Sequence, residues 1–114
     1  MSDCVFCRIV QRQRPARILY EDDAILAFED INPQAPVHAL LIPKKHIATL
    51  LDITDEDASV LGRMLQVADR IAADKGIADR GFRIVNNCNP AGGQTIYHIH
   101  LHLLGGRQMR WPPG

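Results

Sequence analysis

Three of the chain's five histidines, His98, His100 and His102, alternate with Ile99, Leu101 and Leu103. Strict alternation of this kind is the signature of a half-buried strand. Successive strand side chains point to opposite faces, so the spacing predicts three imidazoles on one face and three aliphatic side chains on the other. Imidazole can act as nucleophile, proton carrier or metal ligand. Residues two apart on a strand lie about 6.6–6.8 Å apart, which separates His98 and His102 by roughly 13 Å. One zinc, with Zn–N near ~2.0–2.1 Å, cannot take all three. The row therefore reads as divided labour, different rings touching different atoms. The plainer reading is three hydrogen-bonded histidines on a polar sheet face.

Two further groups could carry chemistry. Cys4 and Cys7 have the CxxC spacing of a metal or redox pair, although alone they are also two small buried hydrophobes. The loop Cys88-Asn89-Pro90-Ala91-Gly92-Gly93-Gln94-Thr95 feeds the histidine strand. It lacks the GxxxxGK[ST] pattern of a P-loop, but paired glycines let backbone N–H groups approach a ligand, and concave arrays of such donors bind phosphate. His38 and His46 stand apart, one entering a strand and one beside Lys44 and Lys45, read as a solvated corner.

The elements that must position these groups are legible. Val5, Phe6, Ile9 and Val10 have the spacing of a short amphipathic helix. Residues 17–21 and 24–31 read as strands of a hairpin turned at Asp22-Asp23. Pro33 and Pro36 mark a loop. Residues 37–43 form an apolar, hence central, strand, and 46–51 a short helical segment. A long helix starts at Thr54, with Asp57 three residues on and acids in its first turn. Ala58, Leu61, Met64, Leu65, Ala68, Ile71 and Ala72 make its apolar stripe, and Gly76 is its stop. Residues 81–87 read as a fourth strand and 97–104 as the histidine strand. Trp111, the only tryptophan, sits in a tail too short to bury it and is expected to pack on the domain or a second subunit.

Length and composition narrow the classes. The 114 residues suit one domain with one real core. Thirteen basic residues balance thirteen acidic ones, without the basic footprint of a nucleic-acid binder. No apolar run approaches the roughly 18 residues of a membrane span. Met1-Ser2-Asp3-Cys4 lacks the pattern of a secretion signal, and three cysteines do not suggest a disulfide framework. A soluble cytoplasmic protein is expected.

His98-x-His100-x-His102-Leu103-Leu104 resembles the signature of the histidine triad (HIT) superfamily. Asp30 through His38, the Pro43-Lys44-Lys45-His46 corner, Gly92-Gly93-Gln94 and the tail from Gly105 to Gly114 resemble its Hint branch. The resemblance implies one HIT domain over residues 1–114, with 98–104 as the triad strand and 105–114 as the C-terminal tail. It implies an α+β fold: a five-stranded antiparallel sheet, one long helix, a short N-terminal helix, and a homodimer with a joined sheet. It implies a phosphoramidase that binds purine nucleotides such as AMP. Such an enzyme hydrolyses the P–N bond of adenosine 5′-phosphoramidates, including AMP-lysine types, through a nucleotidyl-histidine and without a catalytic cofactor.

By the same resemblance His100 is the nucleophile, and its other nitrogen needs an acceptor, expected to be a backbone carbonyl. His102 contacts a phosphate oxygen or the leaving atom, and His38 links to the triad. Asn87, Gly93, Gln94 and Thr95 match phosphate contacts, Asp30 the ribose contact, and Val5, Phe6, Ile9, Phe28 and Ile31 the purine slot. Cys4 and Cys7 depart from many Hint relatives. A subset of the superfamily uses such a pair in a structural zinc site, whose other ligands match His46 and His98. Glu29 replaces a histidine common in close relatives and leaves the base preference open. The competing readings are a zinc hydrolase using strand histidines with His38 or His46, a non-catalytic nucleotide-binding regulator, and a dinucleoside polyphosphate hydrolase.

Overall fold

The computed structural model describes residues 3–114; Met1 and Ser2, part of the N-terminal stretch read above, lie outside the described residues. The chain forms α1 (Val5–Val10), β1 (Ile18–Glu21), β2 (Ile25–Glu29), β3 (Val37–Pro43), α2 (Asp55–Asp74), β4 (Phe82–Val85) and β5 (Leu101–Gly105). The five strands make one sheet in the order β1-β2-β3-β5-β4, and every neighbouring pair is antiparallel. This is the α+β architecture expected. No helix among the described residues is long and apolar enough to cross a membrane.

The pleat sorts the apolar residues onto two faces. Ile25, Ala27, Ala39, Leu41, Leu101 and Leu103 pack under α2 against Met64, Val67, Ala68, Ile71 and Ala72. Leu26, Phe28, Leu40 and Ile42 face the other way, onto Phe6 and Ile9 of α1. Each fully buried side chain of this size contributes about 1.5–3 kcal/mol. Two layers thus hold β3 and β5 at the sheet centre, and the α1 face is left for chemistry.

Several boundaries differ from the sequence reading. The histidine strand starts at Leu101, not Tyr97. Pro43 has no N–H to donate across the ladder, and the β3–β5 register stops at Leu41 opposite Leu101. Beyond it the Ile99 N–H donates instead to the Ile47 carbonyl, 2.6 Å away. Residues 46–51 hold only a 3-10 turn at Leu50–Asp52, capped by Thr49. On α2 the buried line runs through Met64, Val67 and Ile71, while Ala58 is exposed and Leu65 is 49% exposed. Val67 takes the buried place assigned to Leu65, because the true stripe is rotated toward it. Lys44 and Lys45 are not a merely solvated corner: Lys44 pairs with Glu21 at 2.8 Å and Lys45 with Asp57 at 2.9 Å. Asp57 also accepts from the Thr54 N–H and hydroxyl at 3.1 and 3.0 Å, the capping box that starts α2. Trp111 is 83% exposed and does not pack on its own domain.

Candidate active site

His38 on β3 and His102 on β5 share the α1 face, because Leu40 on that face stands opposite His102 and two residues from His38. Their rings meet: His38 Nε2 lies 2.8 Å from His102 Nδ1. The hydrogen-bond partners assign every proton. The Gln34 N–H donates to His38 Nδ1 at 3.0 Å, so the His38 proton sits on Nε2. That proton is donated to His102 Nδ1, which leaves the His102 proton on Nε2. The Asp30 carboxylate stands 3.3 Å from His38 Nε2 as a second, longer acceptor.

His100 is assigned the same way. Its Nδ1 lies 2.8 Å from the His98 carbonyl oxygen. A carbonyl only accepts, so Nδ1 carries the proton and Nε2 keeps a lone pair. The acceptor expected from the sequence is thus the backbone of the triad's own first residue. The rings of His100 and His102 are 5.0 Å apart. Phe6 closes over His100 edge-on at 5.1 Å.

Burial holds these rings neutral. It lowers the His100 and His38 pKa values, Asp30 opposing it at both. At His102 burial, with the neighbouring His100 and His38 adding to it, lowers the pKa to about 4. The site therefore offers, at neutral pH, a bare nitrogen at His100 and an N–H at His102.

Behind the triad lies a second cluster. One donor atom each from Cys4, Cys7, His46 and His98 falls within 4.8 Å of the others. Cys4 Sγ is 3.4 Å and Cys7 Sγ 3.5 Å from His98 Nδ1, and Cys7 Sγ is 3.3 Å from His46 Nδ1. Tetrahedral zinc, with Zn–S ~2.3 Å and Zn–N ~2.0–2.1 Å, sets sulfur and nitrogen about 3.5 Å apart. His98 donates Nε2–H to the Pro43 carbonyl at 2.7 Å, the outer bond that frees Nδ1 for a metal. Burial lowers the His98 pKa to about 4, so the lone pair stays open. These residues fit a Cys₂His₂ site. Asp30, His38 and His102 also converge, but there the His38 Nε2–H is taken up by His102 Nδ1 and the Asp30 carboxylate.

A cavity of about 570 Å³ opens beside Phe6. Val5, Phe6, Ile9, Phe28, Asp30 and Ile31 line it, the residues read from the sequence as the purine and ribose contacts. Leu40, Ile96, Arg14, Pro15 and Ala16 also line it and were not in that reading. Leu40 was within reach of the β3 alternation; the 14–16 segment carried no local signal. Glu29 also lines the cavity, and its carboxylate pairs with Arg17 at 3.4 Å and with Lys75, the residue after α2, at 3.8 Å.

The loop before β5 divides its tasks. The Gln94 side chain braces it: Oε1 accepts from the Asn89 N–H, and Nε2 donates to the Ala48 and Ile96 carbonyls. Asn87 Nδ2 donates to the Gly92 carbonyl at 2.7 Å. Gly93 takes the left-handed conformation, φ 83°, which turns the chain toward exposed Thr95. Asn86, absent from the sequence reading, donates Nδ2–H to the His100 carbonyl at 3.0 Å and so steadies the His100 backbone where the ladder has ended.

Comparison with known proteins agrees with this geometry. The family described as "Scavenger mRNA decapping enzyme C-term binding" matches residues 3–111. The chain is 54% identical over 113 residues to an uncharacterized HIT-like protein of Synechococcus elongatus, covering 99% of this chain and 98% of that protein. It is 49% identical over 114 residues to a 14 kDa zinc-binding protein of Brassica juncea, covering 98% and 100% respectively. The fold superposes on the crystal structure of a HIT family hydrolase from Legionella pneumophila with TM-score 0.96 and 55% identity, covering 98% of this chain and 100% of that one. A histidine triad protein from Clostridium difficile gives TM-score 0.92 at 43% identity, with 96% of each chain covered.

Proposed function

The chain belongs to the histidine triad superfamily, and on that premise we propose that it hydrolyses the P–N bond of purine nucleoside 5′-phosphoramidates, adenosine ones among them. The observation that carries the reading is the pair of tautomers: a lone pair on His100 Nε2 beside a proton on His102 Nε2. Cleaving P–N needs a nucleophile at phosphorus and a proton for the departing amine. His100 Nε2 attacks phosphorus; the P–N bond breaks, and its electron pair takes the proton of His102 Nε2, releasing the amine. Water then attacks the nucleotidyl-His100 phosphorus, returns a proton toward His102, and frees AMP or its purine analogue. The chain's own imidazoles supply both groups, so this step calls on no catalytic cofactor.

The remaining parts follow the same reading. The apolar cavity takes the purine, Asp30 the ribose hydroxyls, and the loop with Asn87, Gly93, Gln94 and Thr95 the phosphate side. Cys4, Cys7, His46 and His98 hold a structural zinc, which when bound ties the N-terminus to the triad; their thiolates suit a reducing, cytoplasmic setting. The whole chain acts as one domain and as a homodimer, supported by the open β4 sheet edge and by exposed Leu65 and Trp111.

The test is to mix the protein with an aminoacyl-type AMP phosphoramidate and trap an AMP adduct on His100 by mass spectrometry. Loss of turnover in His100→Ala with AMP still bound supports the reading; full turnover in that variant defeats it. The match to a decapping-enzyme family favours one runner-up, cleavage of a phosphoanhydride by the same His100. Diadenosine polyphosphate turned over faster than the phosphoramidate would favour it.

A further inference from the structure

We propose that Arg107, an exposed arginine of the tail, is a positioning residue for the acid: by holding Gln34 in place it decides which nitrogen of His102 carries the proton. The inference rests on the reading of His102 as the group that protonates the leaving amine. Arg107 Nε donates to the Gln34 carbonyl at 3.1 Å. The Gln34 N–H donates to His38 Nδ1 at 3.0 Å, and His38 Nε2–H to His102 Nδ1 at 2.8 Å. A continuous path of hydrogen bonds thus runs from the tail to the ring beside His100.

The loop that carries Gln34 needs a hold from outside. It lies between β2, which ends at Glu29, and β3, which starts at Val37, so no ladder fixes it. Pro33 and Pro36 have no N–H to give. Asn32, Pro33 and Gln34 are exposed. The Gln34 side chain bonds only within the loop, Nε2 donating to the Asn32 carbonyl at 3.1 Å. The Arg107 bond ties the loop instead to the end of β5. Arg107 spends Nε and Nη1 on the Gln34 and Gln108 carbonyls, so what it supplies is geometry and not charge pairing.

The carbonyl and the N–H of Gln34 belong to different peptide planes. Arg107 therefore acts by fixing residue 34, not by polarising its N–H. Position matters because a donor facing His38 Nδ1 forbids a proton there. Once Gln34 drifts, the opposite tautomer opens: His38 is protonated on Nδ1, its bare Nε2 accepts from His102 Nδ1–H, and His102 Nε2 has no proton for the amine. The Asp30 carboxylate, 3.3 Å from His38 Nε2, still favours the proton at that nitrogen. Loss of the Arg107 bond therefore yields a mixture of tautomers and not a full reversal.

The experiment compares Arg107→Leu with Arg107→Gln in the full chain. Glutamine puts an amide N–H at the same distance along the side chain as the arginine Nε, so it keeps the donor and loses the charge. Ring nitrogen chemical shifts of His38 and His102 are read by NMR at neutral pH. Values of kcat and KM are measured on an aminoacyl AMP phosphoramidate and on the 4-nitrophenyl ester of AMP, whose leaving group departs without a proton. In the wild type and in Arg107→Gln, His102 is protonated on Nε2. In Arg107→Leu the shifts move toward the opposite tautomer, and kcat on the phosphoramidate falls about tenfold, less than the full worth of a positioned acid. KM stays near its wild-type value, and the nitrophenyl ester loses far less. Unchanged tautomers in Arg107→Leu, equal losses on the two substrates, or Arg107→Gln as impaired as Arg107→Leu overturns the proposal. A tautomer shift in Arg107→Leu in a protein that turns over no phosphoramidate sinks the hydrolytic reading and keeps this one. A leaving-group-dependent loss in His102→Ala, with Arg107→Leu behaving as wild type, does the reverse.

Discussion

His98 holds His100 by its backbone while its own ring belongs to the cysteine cluster. The His98 carbonyl oxygen lies 2.8 Å from His100 Nδ1, and its ring nitrogens face Cys4, Cys7 and the Pro43 carbonyl. One residue thus spans the Cys4-Cys7-His46-His98 cluster and His100. Purified protein should carry zinc in proportion to chain, by atomic absorption. Cys4→Ser should lose that zinc and leave buried His98 Nδ1 without its partner, an uncompensated polar group costing about 1–3 kcal/mol. The expected readouts are a lower Tm and a lower kcat with a smaller change in nucleotide affinity. Zinc-free protein with unchanged Tm and kcat would detach the cluster from the site.

His102 owes its Nε2 proton to a chain of donors that starts at the Gln34 N–H and passes through His38. If that proton serves the leaving amine, His102→Ala should slow P–N cleavage by about 10²–10⁴-fold, the usual range for a positioned acid. The same variant should lose far less on the 4-nitrophenyl ester of AMP, whose leaving group departs without a proton. Steady-state rates on the two substrates decide it. Equal losses would make His102 a binding residue only.

Stability should fall with acid in a window set by the histidines. His102 has its pKa lowered by burial from 6.5 to about 4, and burial lowers His38 and His100 as well. Between pH 6.5 and about 4 the unfolded chain binds protons that the folded chain refuses. Protonation then favours unfolding, so stability is lost as pH falls through this window and is flat above it. Glu21, Asp22 and Asp57 are held below their ordinary values of 4.5, 3.8 and 3.8, and their contributions disappear only at lower pH. Calorimetric Tm should therefore be level from pH 8 to 7 and decline from about pH 6.5. A Tm that is level down to pH 4 would mean these rings are wetter than their burial implies.

The sheet was legible because its strands alternate cleanly; Ile99, Leu101 and Leu103 all went to the interior as their spacing required. The length of the histidine strand was not, because alternation in residues 97–100 looks the same whether the backbone pairs with a neighbour or its side chains do. His98 and His100 spend their ring nitrogens on the Pro43 and His98 carbonyls, a choice made by tertiary contacts. Leu65 and Val67 could not be ranked from a stripe that tolerates either phase. Motif resemblance places Gln94 on the phosphate side, and only the structure shows that its side-chain amide braces the loop between Asn89, Ala48 and Ile96. Asn86 and the 14–16 segment reach the site through strand register and chain path, which no local pattern encodes.

Gly106 ends β5 under two constraints at once. Its φ is +89°, and a Cβ there would stand 2.9 Å from Pro36 Cβ and 3.2 Å from Pro36 Cγ. The first excludes ordinary L-residue backbone conformations; the second meets a ring that cannot swing aside. Pro36 belongs to the loop that leads into β3 and His38, and Arg107 Nε donates to the Gln34 carbonyl in the same loop at 3.1 Å. Gly106→Ala should therefore cost about 1–3 kcal/mol and disturb the Gln34 N–H that sets the His38 tautomer. Denaturant unfolding should show the loss of stability, and kcat should fall with it although residue 106 touches no reacting atom. Gly76→Ala gives the control: its φ is +74° but nothing lies within 4 Å of an added Cβ, so it should lose stability through backbone strain alone and keep kcat. Equal kcat losses in the two variants would mean that the turn, and not the Pro36 contact, governs the site.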